Sequence, residues 1–374
     1  MKIKAAVLRE VGAEPPYSIS RPLRIEEIDL APPSQDEVLV KIKAAGLCHS
    51  DLSVINGDRP RDVPIVLGHE ACAEVMELGP GVKDFKVGDQ VVLVFVPSCG
   101  SCPSCMASKH ALCEPGGKAN AKGTLLSGEK RLSKNKEFLN HHTGVSCFAE
   151  YAVVSVASCV KVPKSLSPRI AALFGCAILT GAGAVLNRTD IRAGDSAAVI
   201  GLGGVGFSSL LAAHAAGAEK LIVLDFDQNK LELAKELGAT HVINPRGLTS
   251  QEVLDAIGSA VDYCYEMAGS AEAFAMAYYI TKKGGTAVTS GLPNPNARFE
   301  LPLADLVATE KNILGSYLGS GVPSLDIQRY IKLYERGMMP VDKLQGELFT
   351  LEEVNEGFDH MLTGANLRDA IVFD

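Results

Sequence analysis

The chain has 374 residues, 47% of them hydrophobic and 21% charged, with a formal net charge of −8. That length allows two domains with their own cores, and the composition is that of a globular chain rather than a disordered one. The acidic balance, with no basic run, argues against a nucleic-acid or anionic-membrane surface. The opening MKIKAAVLRE has no uninterrupted apolar core, so no signal peptide is expected. The apolar stretches near 170–186 and 197–216 are broken by Gly, Asn or Ser, so neither is expected to span a membrane. A cytoplasmic chain follows, and there thiols stay reduced.

In chain order, the first fifty residues read as short strands: AAVLRE, LRIEEIDL and EVLVKIKAAGL, separated by Pro, Gly and Asp. ACAEVMELG and DQVVLVFV continue the β character to about residue 165. Within this region AAGLCHSDL offers Cys48, His49, Ser50 and Asp51, and GHEACAEV offers His69 and Glu70. One His with two Cys would make a three-ligand zinc site whose fourth position stays open. Singly, each has a plainer reading: a lone buried Cys is usually a small core residue. Cys72, Cys147, Cys159 and Cys264 are read so, and His110, His141, His142, His214, His241 and His360 as structural.

Next comes CGSCPSCMASKHALC, with Cys99, Cys102, Cys105 and Cys113 in a C-x2-C-x2-C-x7-C pattern. Four thiolates close the shell of a tetrahedral zinc, which makes the lobe 97–115 structural. A ferredoxin-type cluster would continue x3-C-P, whereas here the gap is seven and Glu114 follows.

At SLSPRIAALFGCAILTGAGAVLNRTDI the character turns helical, and Cys176 lies at this junction. From 196 to about 317 strands and helices alternate, the mark of a doubly wound parallel sheet. AAVIGLGGVG places Gly201, Gly203 and Gly206 in G-x-G-x-x-G between a strand and a helix. Gly201 makes the tight turn, Gly203 admits a pyrophosphate, and Gly206 lets helix and strand close up. The next strand ends at Asp225, nineteen residues past Gly206. A carboxylate there accepts the ribose hydroxyls and repels a 2′-phosphate, which favours NAD over NADP. Asp227 competes for the role, with strand alternation and distance favouring Asp225. The tail holds one helical stretch, PSLDIQRYIKLYERG, and further strands. The expected layout is a first domain of 1–178 and 318–374 around an inserted domain of 179–317.

Taken together and in order, GLCHSDL, GHE, VGDQVV, the four-cysteine lobe, GLGGVG and the closing NEGFDHMLTGANLRDAIVF resemble the zinc-dependent medium-chain dehydrogenases. The likeness covers essentially the whole chain and is to the long-loop zinc alcohol dehydrogenases. It implies an α/β fold: a Rossmann-type doubly wound domain inserted in a mainly β, GroES-like catalytic domain. It implies two zinc ions per chain, the catalytic one on Cys48, His69 and Cys176 with Glu70 beside it, and Asp51 orienting His69. Ser50 would pass on the alcohol proton. His49 and Arg368 would face the cofactor phosphates, and Lys230 the adenosine ribose. Thr180, Gly204, Val205, Leu292 and Leu318 would complete the NAD site; Phe95, Arg59 and Tyr317 would line the substrate cleft.

The implied activity is reversible oxidation of a primary alcohol, aromatic alcohols included, to an aldehyde, by a homodimer or homotetramer with a small-molecule substrate. Some members extend the proton relay to a histidine where this chain has Ser53, which leaves water or His49 for the last step. Two alternatives stand beside this reading. The glutathione-dependent formaldehyde branch carries an arginine where this chain has Gly117 and an acid where it has Arg59. A non-catalytic NAD-binding protein would have no need of an open ligand set.

Overall fold

The computed structural model describes residues 1–364 and 367–373. Ala365 and Asn366 of the closing motif lie outside them. The chain forms two compact units, Met1–Cys176 with Val322–Gln328 and Gln345–Asp374, and Ala177–Gly321 with Arg329–Leu344. Residues 318–321 and 329–344, expected with the first domain, group with the second unit. Two packings account for this. Gly319 lies against Gly183, where a Cβ would meet the Gly319 carbonyl oxygen at 2.3 Å. The short turn Val341–Leu344 packs on the helix Gly204–Ala215.

The first unit carries a six-stranded and a seven-stranded sheet, built mostly from antiparallel pairs. Lys2–Leu8 pairs with Leu23–Leu30, and Glu37–Gly46 pairs with Ala71–Leu78, Tyr151–Ser155 and Ala370–Val372. The inward faces of these strands supply Val40, Ile42 and Val75 to one core, which Val91, Phe148 and Phe358 complete from other segments.

Strand ends place the chemistry. The Gly46 N–H donates to the Glu70 carbonyl (2.8 Å), so the residues after one strand meet the residues before its partner. A Cβ at Gly46 would meet Glu70 Cδ at 2.9 Å, so no larger residue fits beside that carboxylate unless it moves. The Leu47 N–H donates to the Asp369 carbonyl (2.9 Å), which brings the C-terminal strand alongside.

In the second unit, six parallel strands lie in the spatial order third, second, first, fourth, fifth, sixth. The strand order reverses between Ser196–Ile200 and Val261–Glu266, the crevice where doubly wound sheets take their ligands. No helix among the described residues is long and apolar enough to cross a membrane.

Candidate active site

Cys48 caps the N-terminus of the helix His49–Ile55, with extended backbone at φ −135° and ψ 146°. His69 and Glu70 sit in the turn before Ala71–Leu78. Cys176 follows the helix Pro168–Leu173, and Gly175 before it packs against the Leu93 carbonyl. Donor atoms of Cys48, His69, Glu70 and Cys176 all lie within 4.8 Å of one another and all four residues are buried. Both oxygens of Glu70 face the Arg368 guanidinium: Nε is 3.3 Å from Oε1, and Nη2 contacts Oε2. With Glu70 held by Arg368, the remaining donors are two sulfurs and one imidazole nitrogen.

The fit to zinc rests on His69. Its Nδ1 lies 3.0 Å from Asp51 Oδ2. A carboxylate only accepts, which favours the tautomer with the proton on Nδ1 and the lone pair on Nε2. Both ring nitrogens are buried and neither makes a hydrogen bond of good geometry among the described residues, but Nδ1 has the carboxylate beside it and Nε2 has none. A buried orphan acceptor beside two cysteines is costly without a cation and suits a tetrahedral zinc that leaves one position open. A hydrogen bond from the Cys176 thiol holds Cys48 well below the usual thiol range, against the cost of burial. Cys176 is raised by that same partner and by burial. Burial alone would lower His69, but Asp51 and Cys48 outweigh it and push the ring up, so in the metal-free set the ring favours a second proton, on Nε2, which a bound cation would displace.

The four-cysteine lobe is built differently. Cys99, Cys102, Cys105 and Cys113 bring their sulfurs within 4.8 Å of one another, two of them half-buried. Their own backbone supplies the partners: Cys102 N–H donates to Cys99 Sγ (3.3 Å), and Cys99 N–H and Gly116 N–H donate to Cys113 Sγ (3.2 and 3.4 Å). Backbone N–H groups, Ser101 first, pull Cys99 down to about 6, while burial pushes Cys105 up to about 12. Free thiols therefore disagree in charge state, whereas a zinc ion would hold all four as thiolates.

In the second unit Gly201 has φ +91°, and a Cβ there would meet Ala268 at 2.8 Å. A Cβ on Gly206 would sit 1.8 Å from the Gly201 carbonyl oxygen, so helix and strand close only over glycine. At Gly203 a Cβ meets nothing within 4 Å, the open room a phosphate needs in front of the helix Gly204–Ala215. Asp225 Oδ2 accepts the Leu202 N–H (2.6 Å) and Oδ1 the Asp227 N–H (2.9 Å), which ties the strand end to the glycine turn. Asp227 is spent on capping: its Oδ1 accepts from Asn229 N and Lys230 N. Lys230 lies on that capped first turn, half-buried. Gly204 and Thr180 are buried, Val205 half-buried and Leu292 exposed. Leu318 is buried at φ +48°.

Around the first site, Phe95 stands edge-on to His69, with ring centroids 5.2 Å apart. His49 is exposed and Ser50 half-buried. The Ser53 hydroxyl donates to the His49 carbonyl (2.7 Å). Arg59 is half-buried, its N–H on the Ser53 carbonyl, while Tyr317 belongs to the second unit and is 39% exposed. Arg368 is buried in its pair with Glu70. His142, read from sequence as a structural histidine, has its Nδ1 3.0 Å from Asp51 Oδ1. No local pattern marks it, because it lies 73 residues from His69 in the chain.

Two family models match: "Alcohol dehydrogenase GroES-like domain" over residues 34–164 and "Zinc-binding dehydrogenase" over 204–336. The chain is 35% identical to alcohol dehydrogenase B of Mycobacterium tuberculosis, covering 99% of this chain and 98% of that one. It is 35% identical to S-(hydroxymethyl)glutathione dehydrogenase of Synechocystis, over 99% of this chain and all of that one. Among solved structures, benzyl alcohol dehydrogenase of Acinetobacter calcoaceticus superposes with a TM-score of 0.92, at 32% identity and with both chains fully covered.

Proposed function

The chain belongs to the zinc-dependent medium-chain dehydrogenases, and from that premise we propose how its own residues carry out the NAD-linked, reversible oxidation of an alcohol. The observation that carries the reading is the orphan Nε2 of His69, converging with two cysteine sulfurs on one buried point. Cys48, His69 and Cys176 would hold the reactive zinc, and the four-cysteine lobe a second, giving two per chain. When bound, zinc supplies a Lewis acid that makes an alcohol oxygen more acidic, and NAD supplies the hydride acceptor.

The protein's part is orientation and proton handling. Asp51 fixes the tautomer and plane of His69. Arg368 keeps the Glu70 carboxylate engaged beside the ligand set. Ser50, two residues past Cys48 on the same helical turn, would take the substrate proton, and the exit runs to water or to the exposed ring of His49. Ser53 is no part of it, since its hydroxyl is bound to the His49 carbonyl. Asp225 would hold the ribose hydroxyls of NAD and repel a 2′-phosphate.

For substrate, we infer free primary alcohols, aromatic ones included, in preference to the glutathione adduct of formaldehyde. Gly117 supports this: it is exposed, and a Cβ added there would meet nothing within 4 Å, so an arginine would fit and the glycine withholds its charge. Phe95 gives the cleft an apolar wall. We assign the protein to the cytoplasm as a homodimer or homotetramer. The test is a panel of primary, secondary, aromatic and polar alcohols with NAD, read as NADH absorbance, with zinc counted per chain. The expected result is two zinc ions and turnover of free primary alcohols. Turnover only when formaldehyde and glutathione are both present would move the protein to the other branch.

A further inference from the structure

His142 occupies a position that neither the ligand set nor the proton path accounts for. The segment Asn140–His141 pairs in parallel with Ile65–Val66, which leads directly into Gly68 and His69. Ser146 clamps the two segments: its hydroxyl accepts the His142 N–H (2.8 Å) and donates to the Val66 carbonyl (2.9 Å). Cys147 N–H and Phe148 N–H close the same seam on the carbonyls of Gly68 and Leu67. The result sets the His142 ring perpendicular to that of His69, with centroids 5.6 Å apart, and puts Asp51 between the two Nδ1 atoms at 3.0 Å from each.

We propose that His142 is a positioning residue for the zinc ligand His69, acting through Asp51. Asp51 is fully buried: its Oδ1 accepts the Gly68 N–H (3.0 Å), and the charged carboxylate faces His69 Nδ1 across Oδ2 and His142 Nδ1 across Oδ1, each at 3.0 Å. The carboxylate has no proton to give, so at 3.0 Å it favours the tautomer of His142 with the proton on Nδ1. Without that donor Oδ1 would keep the Gly68 N–H alone, and the carboxylate plane, which sets the plane of His69, would lose one of its fixed points. A group that orients a metal-bound histidine in this way is worth about 10- to 100-fold in metal affinity.

This inference rests on the proposed zinc site, and the test separates the two. Zinc release to EDTA is followed in the native protein, His142→Leu, His142→Asn and Cys48→Ser, with the melting temperature of each. The phase that Cys48→Ser abolishes is the open site. His142→Leu is expected to speed that phase about ten-fold and leave the four-cysteine phase unchanged. His142→Asn, whose amide nitrogen falls near the imidazole Nδ1, is expected to restore near-native release. An unchanged open-site phase in His142→Leu would overturn the role of His142 alone. So would faster release in both phases with a lowered melting temperature and no rescue by Asn. If Cys48→Ser abolishes no phase, the zinc-site reading falls, and the role of His142 with it.

Discussion

The two cysteine clusters solve the same chemical problem in opposite ways. The lobe draws four sulfurs from fifteen consecutive residues, and the N–H groups that support them come from that stretch or, for Gly116, three residues beyond it. The other cluster draws Cys48, His69 and Cys176 from three separated segments, buries them all, and supports its imidazole with a fully buried carboxylate. A closed set of four thiolates offers a metal no vacant position, so its binding free energy goes into folding. An open set of three has to be oriented by other residues, and that requires the assembled sheets. The comparison teaches that a local cluster can stabilise a fold, whereas a reactive one depends on the fold already being made.

Replacing one ligand in each cluster breaks the comparison most directly. Cys48→Ser should lower turnover by more than about 100-fold, beyond the range for groups that only orient a ligand, with a melting temperature close to native. Cys102→Ser should do the reverse: one zinc lost by metal analysis, and a melting temperature lower by on the order of 10 °C, several kcal/mol at about 2–4 °C each. If both variants unfold alike, or both keep turnover, the division into reactive and structural sites is wrong.

The second unit sharpens the same contrast. Its glycine turn is local, but Asp225 reaches its place only because parallel strands align it with Leu202. Asp225→Gly should cost about 10- to 100-fold in kcat/KM with NAD, as expected for losing hydrogen bonds to a charged acceptor, and should improve NADP. Steady-state kinetics with both cofactors decide it; a native preference for NADP would remove Asp225 from the role.

Two adjacent histidines give the smallest effect. His142 faces Asp51, while His141 is buried with its Nε2 accepting the Arg131 N–H (3.0 Å). Burial first, then Arg131 and Lys130, lowers His141 to about 3. Its folded value thus lies below its ordinary value of about 6.5, so between these the unfolded chain binds more protons. Its contribution is complete above about pH 6.5 and is lost as pH falls toward 3. His141→Gln, whose side-chain oxygen can take the same N–H, should flatten the acid limb by up to about 1.4 kcal/mol per pH unit. Urea unfolding of both proteins at pH 5 and pH 7 measures this as a difference, in which the titration of Cys48, His69 and Cys176 cancels.

Much of this was legible in the chain. Cysteine spacing identified the lobe, because its sulfurs and their N–H partners all lie within residues 99–116. Strand–helix alternation and G-x-G-x-x-G identified the doubly wound unit, because a β–turn–α junction is a short-range object. Cys48, His69 and Cys176 were assigned only through the resemblance, each being unremarkable in its own segment.

What the sequence by itself determined is the chemistry on offer: thiols and imidazoles for a soft metal, glycines for a phosphate turn, and an acid at a strand end. Only the tertiary structure decided which of these meet. It gave Asp227 to a helix cap and Asp225 to the glycine turn. It closed Ser53 onto a carbonyl, paired Glu70 with Arg368, and set His142 on the far side of Asp51. The reason is that hydrogen bonds act over about 3 Å, a scale on which residues 73 positions apart become neighbours only after the strands have paired.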